Sequence, residues 1–191
     1  MAISLSDRFF VPLAALAFGG LIVLALQYRP AGQDPVVTET AYVMEGSALA
    51  QLIPGPGTEV AFDPAAPGGP VARASATSTI EAAGTLSAGV GAVIPPQFES
   101  RLPGRTIVVE ITLANADAEL TETAMGYFTV GLGDTGWRMR EVSADGGVMT
   151  LRHDIPADAP LGNNDWVGLW PDPDGAGRSV AVRRIEVRLE P

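Results

Sequence analysis

Between residues 71 and 190 the chain is written in short runs in which apolar and polar positions alternate. In TIVVEITLA, Ile107, Val109, Ile111 and Leu113 alternate with Thr106, Glu110 and Thr112. In GYFTVGL, Phe128, Val130 and Leu132 fall on one parity, and Tyr127 and Thr129 on the other. Trp137 and Met139 oppose Arg138 and Arg140, while Met149 and Leu151 oppose Thr150 and Arg152. Successive side chains of a strand point to opposite faces, so each run predicts a strand with one buried face. GDTG, ADGG, PADAPLGNN and PDPDGAG separate the runs as turns, and no helical period intervenes. The expected fold is an all-β, antiparallel sandwich.

Two runs are irregular. In SVAVRRIEVRLE, Val180 and Val182 have the opposite parity to Ile185, Val187 and Leu189. A bulge near Arg183 and Arg184 would bring both sets to the core; without it the first two face out. In DWVGLW, Trp166, Gly168 and Trp170 share one face, and Val167 and Leu169 the other. With the aliphatics inward, the indoles form an outward platform. The competing reading buries one or both indoles, with the glycine letting another segment pack closely. Trp137 is assigned to the core.

The N-terminal third reads differently. Residues 9–26, FFVPLAALAFGGLIVLAL, hold no charge and are long enough to cross a bilayer as a helix. Tyr28 and Arg29 follow as an interfacial anchor, and no small-x-small cleavage site follows the apolar run. The expected organisation is a cytoplasmic stretch over residues 1–8, a transmembrane signal-anchor over 9–28, a Pro/Gly-rich stalk over 29–70 and the main domain over 71–191. Arg8 and Arg29 balance each other, and the N-terminal amine tips orientation toward a periplasmic domain in a bacterial inner membrane. Within the stalk, TAYVM and TEVAF could form strands and GSALAQLI a helical turn or two, and the second half could add an edge strand.

Composition narrows the chemistry. The formal charge of -10 argues against nucleic acid as a partner, and with no cysteine there is neither a disulfide framework nor a thiolate metal site. The 22 glycines and 16 prolines suit turns between short strands.

PGRTIVVEITLANA resembles the strand after a Pro-Gly turn in jelly-roll carbohydrate-binding modules of the galactose-binding-like type. WVGLWPDPDGAGRSVAVRRIEVRL is similar to their last two strands, joined by a Gly-rich hairpin. The resemblance implies a jelly-roll β-sandwich over residues 71–190. It also implies the structural calcium that such modules commonly hold, and Asp172 and Asp174 in PDPDG could face one. Their spacing lacks the remaining ligands of a calcium loop, and Asp before Pro or Gly is ordinary turn chemistry.

No catalytic constellation stands out. His153 is the single histidine, and beside Asp154 it reads as a strand-end polar contact. No nucleophile elbow, phosphate loop or H-E-x-x-H motif occurs, and no metal or other cofactor is expected to be required. The function expected is a non-catalytic, membrane-anchored module for envelope or exported polysaccharide, with Trp166, Trp170, Tyr127, Arg138, Arg140 and Asn164 as the binding residues. Arg152 and Arg184 join the outward set by parity, Asn163 adds an amide to the rim, and an arginine-rich rim favours acidic glycans. The alternative is an assembly subunit that docks its sandwich on an envelope protein.

Overall fold

The structure, a computed structural model, describes residues 33–84, 87–129, 133–161 and 165–190. The expected membrane segment and Asn163 and Asn164 lie outside the described residues. Among the described residues no helix is long and apolar enough to cross a membrane.

Among the described residues twelve strands follow one another: β1 Val36–Val37, β2 Ala41–Glu45, β3 Ile53–Pro54, β4 Thr58–Asp63, β5 Val71–Ala76, β6 Val90–Val93, β7 Thr106–Ala116, β8 Glu122–Phe128, β9 Arg138–Glu141, β10 Gly147–Asp154, β11 Trp166–Trp170 and β12 Ser179–Leu189. Every pairing between these strands is antiparallel. The larger sheet has seven strands with β12 at its centre. On one side β12 meets β7, and β7 meets β10. On the other, its first half meets β5, backed by β4, and its second half meets β2, backed by β1. The opposing layer carries β8 between β11 and β9. The β3–β6 pair runs beside β11, joined by a Gly89–Leu169 bridge and by the Ile94 N–H donating to Asp165 O at 2.7 Å.

The core lies between the layers. Ile107, Val109 and Ile111 of β7 and Val182, Ile185 and Val187 of β12 meet Met125 and Tyr127 of β8 and Val167 and Leu169 of β11. The bulge in β12 is present: its register against β7 shifts between Ala181 and Val182 and again between Val182 and Arg184. Val180 and Val182 therefore join Ile185, Val187 and Leu189 in the core, as a bulge requires. The displaced Arg183 reaches sideways to the carbonyls of Gly68 and Pro67 at 2.9 and 3.0 Å.

Two expectations change. Among the described residues, much of the stretch from 33 to 70 read as stalk is part of the sandwich. Tyr42 and Met44 of β2, with Leu49 and Leu52 beyond it, belong to the main core. Pro/Gly pairs there punctuate strands instead of separating a linker. In β8 the parity is reversed. Tyr127 sits opposite Val167 in register, and residues directly opposite share a face, so Tyr127 points into the core and Phe128 away from it. Burial of the phenol is tolerated because its hydroxyl donates to the Asp165 carboxylate. GYF is apolar on both parities, so alternation alone could not choose between them.

A candidate ligand-binding face

The question posed by DWVGLW has a divided answer. Val167 and Leu169 face the main core, and the other face of β8 and β11 presents Ala124, Gly126 and Phe128 beside Trp166, Gly168 and Trp170. Trp170 is 0% exposed, packed with Ala76 and Ala124 under Ile80, Ala83 and Trp137. Trp166 is only half-buried. Four rings then cross the face in sequence: Trp170 to Trp137 at 5.7 Å between centroids, Trp137 to Phe128 at 4.8 Å, and Phe128 to Trp166 at 6.2 Å. The last pair is stacked, with 22° between planes, and the first two are edge-to-face.

Glycine makes the bed for these rings. Gly126 and Gly168 are paired across β8 and β11. A Cβ on Gly168 would lie 2.7 Å from Phe128 Cε2 and 3.0 Å from Trp137 Cη2, and one on Gly126 would also meet Phe128 at 2.7 Å. Two bare backbone positions opposite each other therefore let aromatic rings approach the sheet closely.

The loop before β9 delivers Trp137. The Thr135 N–H donates to Tyr127 O at 3.0 Å, and the Tyr127 N–H donates to Thr135 Oγ1 at 2.8 Å. Asp134 Oδ1 accepts from the Gly136 N–H at 2.6 Å, tightening the turn. Across from it, the one-turn helix Ile80–Ala83 is capped by Thr79, whose Oγ1 accepts from the Ala82 N–H at 3.2 Å. Between loop and helix opens a cleft of about 380 Å³, lined by Glu81, Ser87, Phe128, Asp134 and Trp137 among others.

The residues expected to form one site are dispersed. Trp166 and Trp170 do share a face, but Trp170 is sealed beneath it and Tyr127 lies in the core, so neither can be an outward stacking surface. Arg138 is exposed on β9, opposite Met125 in register. Arg140 ties β9 to β10, donating from Nε to Thr150 O at 3.1 Å. Arg152 pairs with Glu190 at 2.7 Å, and Arg184 with Glu45 and Glu186 at 2.9 Å, all on the larger sheet. The arginine rim thus does not assemble, because equal parity on different sheets means different faces. Trp137 packs on the outer face and not in the main core. Phe128, Glu81 and Asp134 carried no sequence signal beyond the glycine-rich approach GLGDTGW, since the register that aligns Gly126 with Gly168 cannot be read from one strand at a time.

The acidic turn is occupied by arginine. Asp172 is 0% exposed; its Oδ1 accepts from Arg178 Nη2 at 2.7 Å and its Oδ2 from the Arg178 N–H at 3.0 Å. Asp174 shares the same guanidinium. Burial pushes the Asp172 carboxyl upward, but the hydrogen bonds and charge of Arg178 outweigh it and hold the carboxyl below its ordinary value. Oxygens so engaged form a carboxylate–arginine turn, the reading the PDPDG spacing favours. Among the described residues no three His, Asp or Glu side chains gather into a metal-binding group.

His153 and Asp154 go separate ways. His153 Nε2 lies 2.6 Å from Gly133 O, and Asp154 Oδ1 accepts from Thr106 Oγ1 at 2.6 Å. Deeper in, burial drives the Tyr127 phenol far above its usual range, and its bond to Asp165 adds to this. Burial likewise raises Asp165, against the opposing hydrogen bond of Tyr127.

No family model matches the chain, and no curated protein matches it in sequence. Solved structures do match. One is the C-terminal family 22 carbohydrate binding module of Clostridium thermocellum Xyn10B, with a TM-score of 0.55 and 12% identity, covering 81% of this chain and 96% of that one. A xylan-binding domain of the same family matches with a TM-score of 0.51 and 15% identity over 83% and 96% of the two chains. An α-L-arabinofuranosidase, MgGH51, matches with a TM-score of 0.50 and 14% identity over 81% of this chain and 25% of its own. At such identities the likeness is one of fold: this chain shares the β-sandwich of jelly-roll carbohydrate-binding modules.

Proposed function

We propose that the chain is a non-catalytic carbohydrate-binding module for envelope or exported polysaccharide, held on a bacterial inner membrane by residues 9–28 and displayed in the periplasm. The observation that carries this reading is the cleft in which Phe128 and Trp137 line the wall and Glu81 and Asp134 supply polar groups. Aromatic rings offer flat apolar surface to the C–H faces of a sugar ring, and the polar groups meet its hydroxyls. The fold shared with xylan-binding modules supports it. Glu81 and Asp134 are both exposed, a poor setting for the carboxylic acid that a glycosidase must keep protonated.

A glycan array probed with the parent chain and with Trp137→Ala, each also melted thermally, tests the reading. The parent should capture a polysaccharide and the variant should lose it while still folded. A parent that captures none, or a variant that binds fully, would overturn it. For the anchor, N-terminal sequencing of the mature protein should find the apolar segment retained; a start after Leu26 would refute that part.

One observation favours the second reading, an assembly subunit docking on an envelope protein. Val36, Ile53 and Val93 are 55%, 56% and 41% exposed, and they border or line an apolar hollow of about 490 Å³ with Pro35, Pro95 and Pro96. Capture of a protein partner that Ile53→Asp abolishes would place this reading first.

A further inference from the structure

The aromatic cleft carries charge of one sign. Glu81 stands on the one-turn helix and Asp134 on the facing loop, both exposed, and no arginine lines the cleft among the described residues. Arg138 opens β9 opposite Met125 in register and is not among the residues that line the cleft. The chain as a whole bears a formal charge of -10. Beside the two carboxylates the cleft is lined by Phe128 and by the half-buried Trp137, whose indole face carries partial negative charge and attracts cations. Such a cleft repels uronate or sulfate groups. An ammonium is attracted both by the carboxylates and by the indole face.

We propose that the cleft selects a polysaccharide bearing free amines, with hexosamine units lacking N-acetyl groups, and that Glu81 and Asp134 recognise the ammonium while Trp137 receives the sugar ring. This rests on the carbohydrate-binding reading above. It reverses the preference for acidic glycans that the dispersed arginines suggested.

The test compares binding of the full chain to glucosamine oligomers, to fully N-acetylated oligomers of equal length, to neutral xylose oligomers and to a lysine oligomer. Glucosamine oligomers should bind tightest, and the preference should fade as salt is raised. Glu81→Gln and Asp134→Asn should each weaken amine binding up to about fivefold, the range of a partly exposed ion pair. Neither should alter binding of the N-acetylated oligomer. Both variants should fold, since each site is exposed and the amide oxygen introduced by Asp134→Asn can still accept from the Gly136 N–H.

Equal affinity for amine, N-acetylated and neutral oligomers would sink the amine preference and leave the carbohydrate reading standing. No binding to any sugar oligomer would bring both down. Lysine oligomers binding as tightly as glucosamine, or amine binding indifferent to both substitutions, would show unspecific attraction to an acidic protein and overturn the proposal.

Discussion

Trp137 meets Trp170 edge to face, with 5.7 Å between ring centroids and 78° between planes. The two indoles have different tasks: Trp170 is a fully buried foundation, and Trp137 lies over it and lines the cleft. Trp170→Ala should cost about 3–5 kcal/mol, as for other buried aromatic truncations, with a large fall in melting temperature. Trp137→Ala, at a half-buried site, should melt closer to the parent. Equal losses in the two melting curves would contradict this division.

Gly168→Ala should destabilise the domain although its backbone is ordinary strand. The added Cβ would lie 2.6 Å from Ala88 O as well as against the rings of Phe128 and Trp137. A carbonyl in a packed layer has little room to yield, so an overpacking cost of about 1–3 kcal/mol is expected. Denaturant unfolding should show a lower midpoint, and tryptophan fluorescence should shift as the rings are displaced. An unchanged midpoint would mean the layer is looser than described.

The Asp172–Arg178 turn predicts both an acid limit and indifference to chelators. Asp172 is held below its unfolded value of 3.8, so the stability it contributes is present above that value and is lost as pH falls through the lower folded one. Asp172→Asn should remove about 1.5–3 kcal/mol, the worth of hydrogen bonds to a charged group, and should flatten the acid limb of a melting-temperature profile. EDTA should leave the β-sheet circular dichroism intact, because Arg178 already satisfies these oxygens. Collapse in EDTA would reveal a structural ion.

Asp165 should behave in the opposite sense. Its carboxyl is raised by burial, so the folded state favours the protonated form, and stability falls as pH rises from the unfolded value through the folded one. Asp165→Asn keeps an acceptor for the Tyr127 hydroxyl and removes the buried charge. The variant should melt higher than the parent at neutral pH and no higher in acid. A variant that melts lower at neutral pH would show that the ionised carboxylate is needed for packing.

The sandwich was legible wherever a strand had one wet face. In β7 the polar Thr106, Glu110 and Thr112 alternate with Ile107, Val109, Ile111 and Leu113, which are buried as alternation requires. The parity break in β12 foretold its bulge. Reading failed where both faces of a strand are covered. Around Tyr127 and Phe128 each parity is apolar, and the choice was made by register against Val167 and by the Asp165 acceptor, both distant in sequence. The site was half legible for the same reason. DWVGLW announced a special face, but the partners Phe128, Glu81 and Asp134 reach it from a neighbouring strand, a one-turn helix and a loop. The arginines looked like neighbours only because strand parity carries no information about which sheet a strand joins.

The strand at the centre of the larger sheet leaves the ribosome after every other strand of that sheet. β12 bonds to β2, β5 and β7, so until Ser179–Leu189 has emerged those three strands lack the neighbour that joins them. The sheet closes only when its keystone arrives, through contacts between strands far apart in sequence, a topology that makes folding slow. In a chain exported as proposed above, this timing is useful. The domain would stay open while its earlier strands were threaded across a membrane, and would close on the far side.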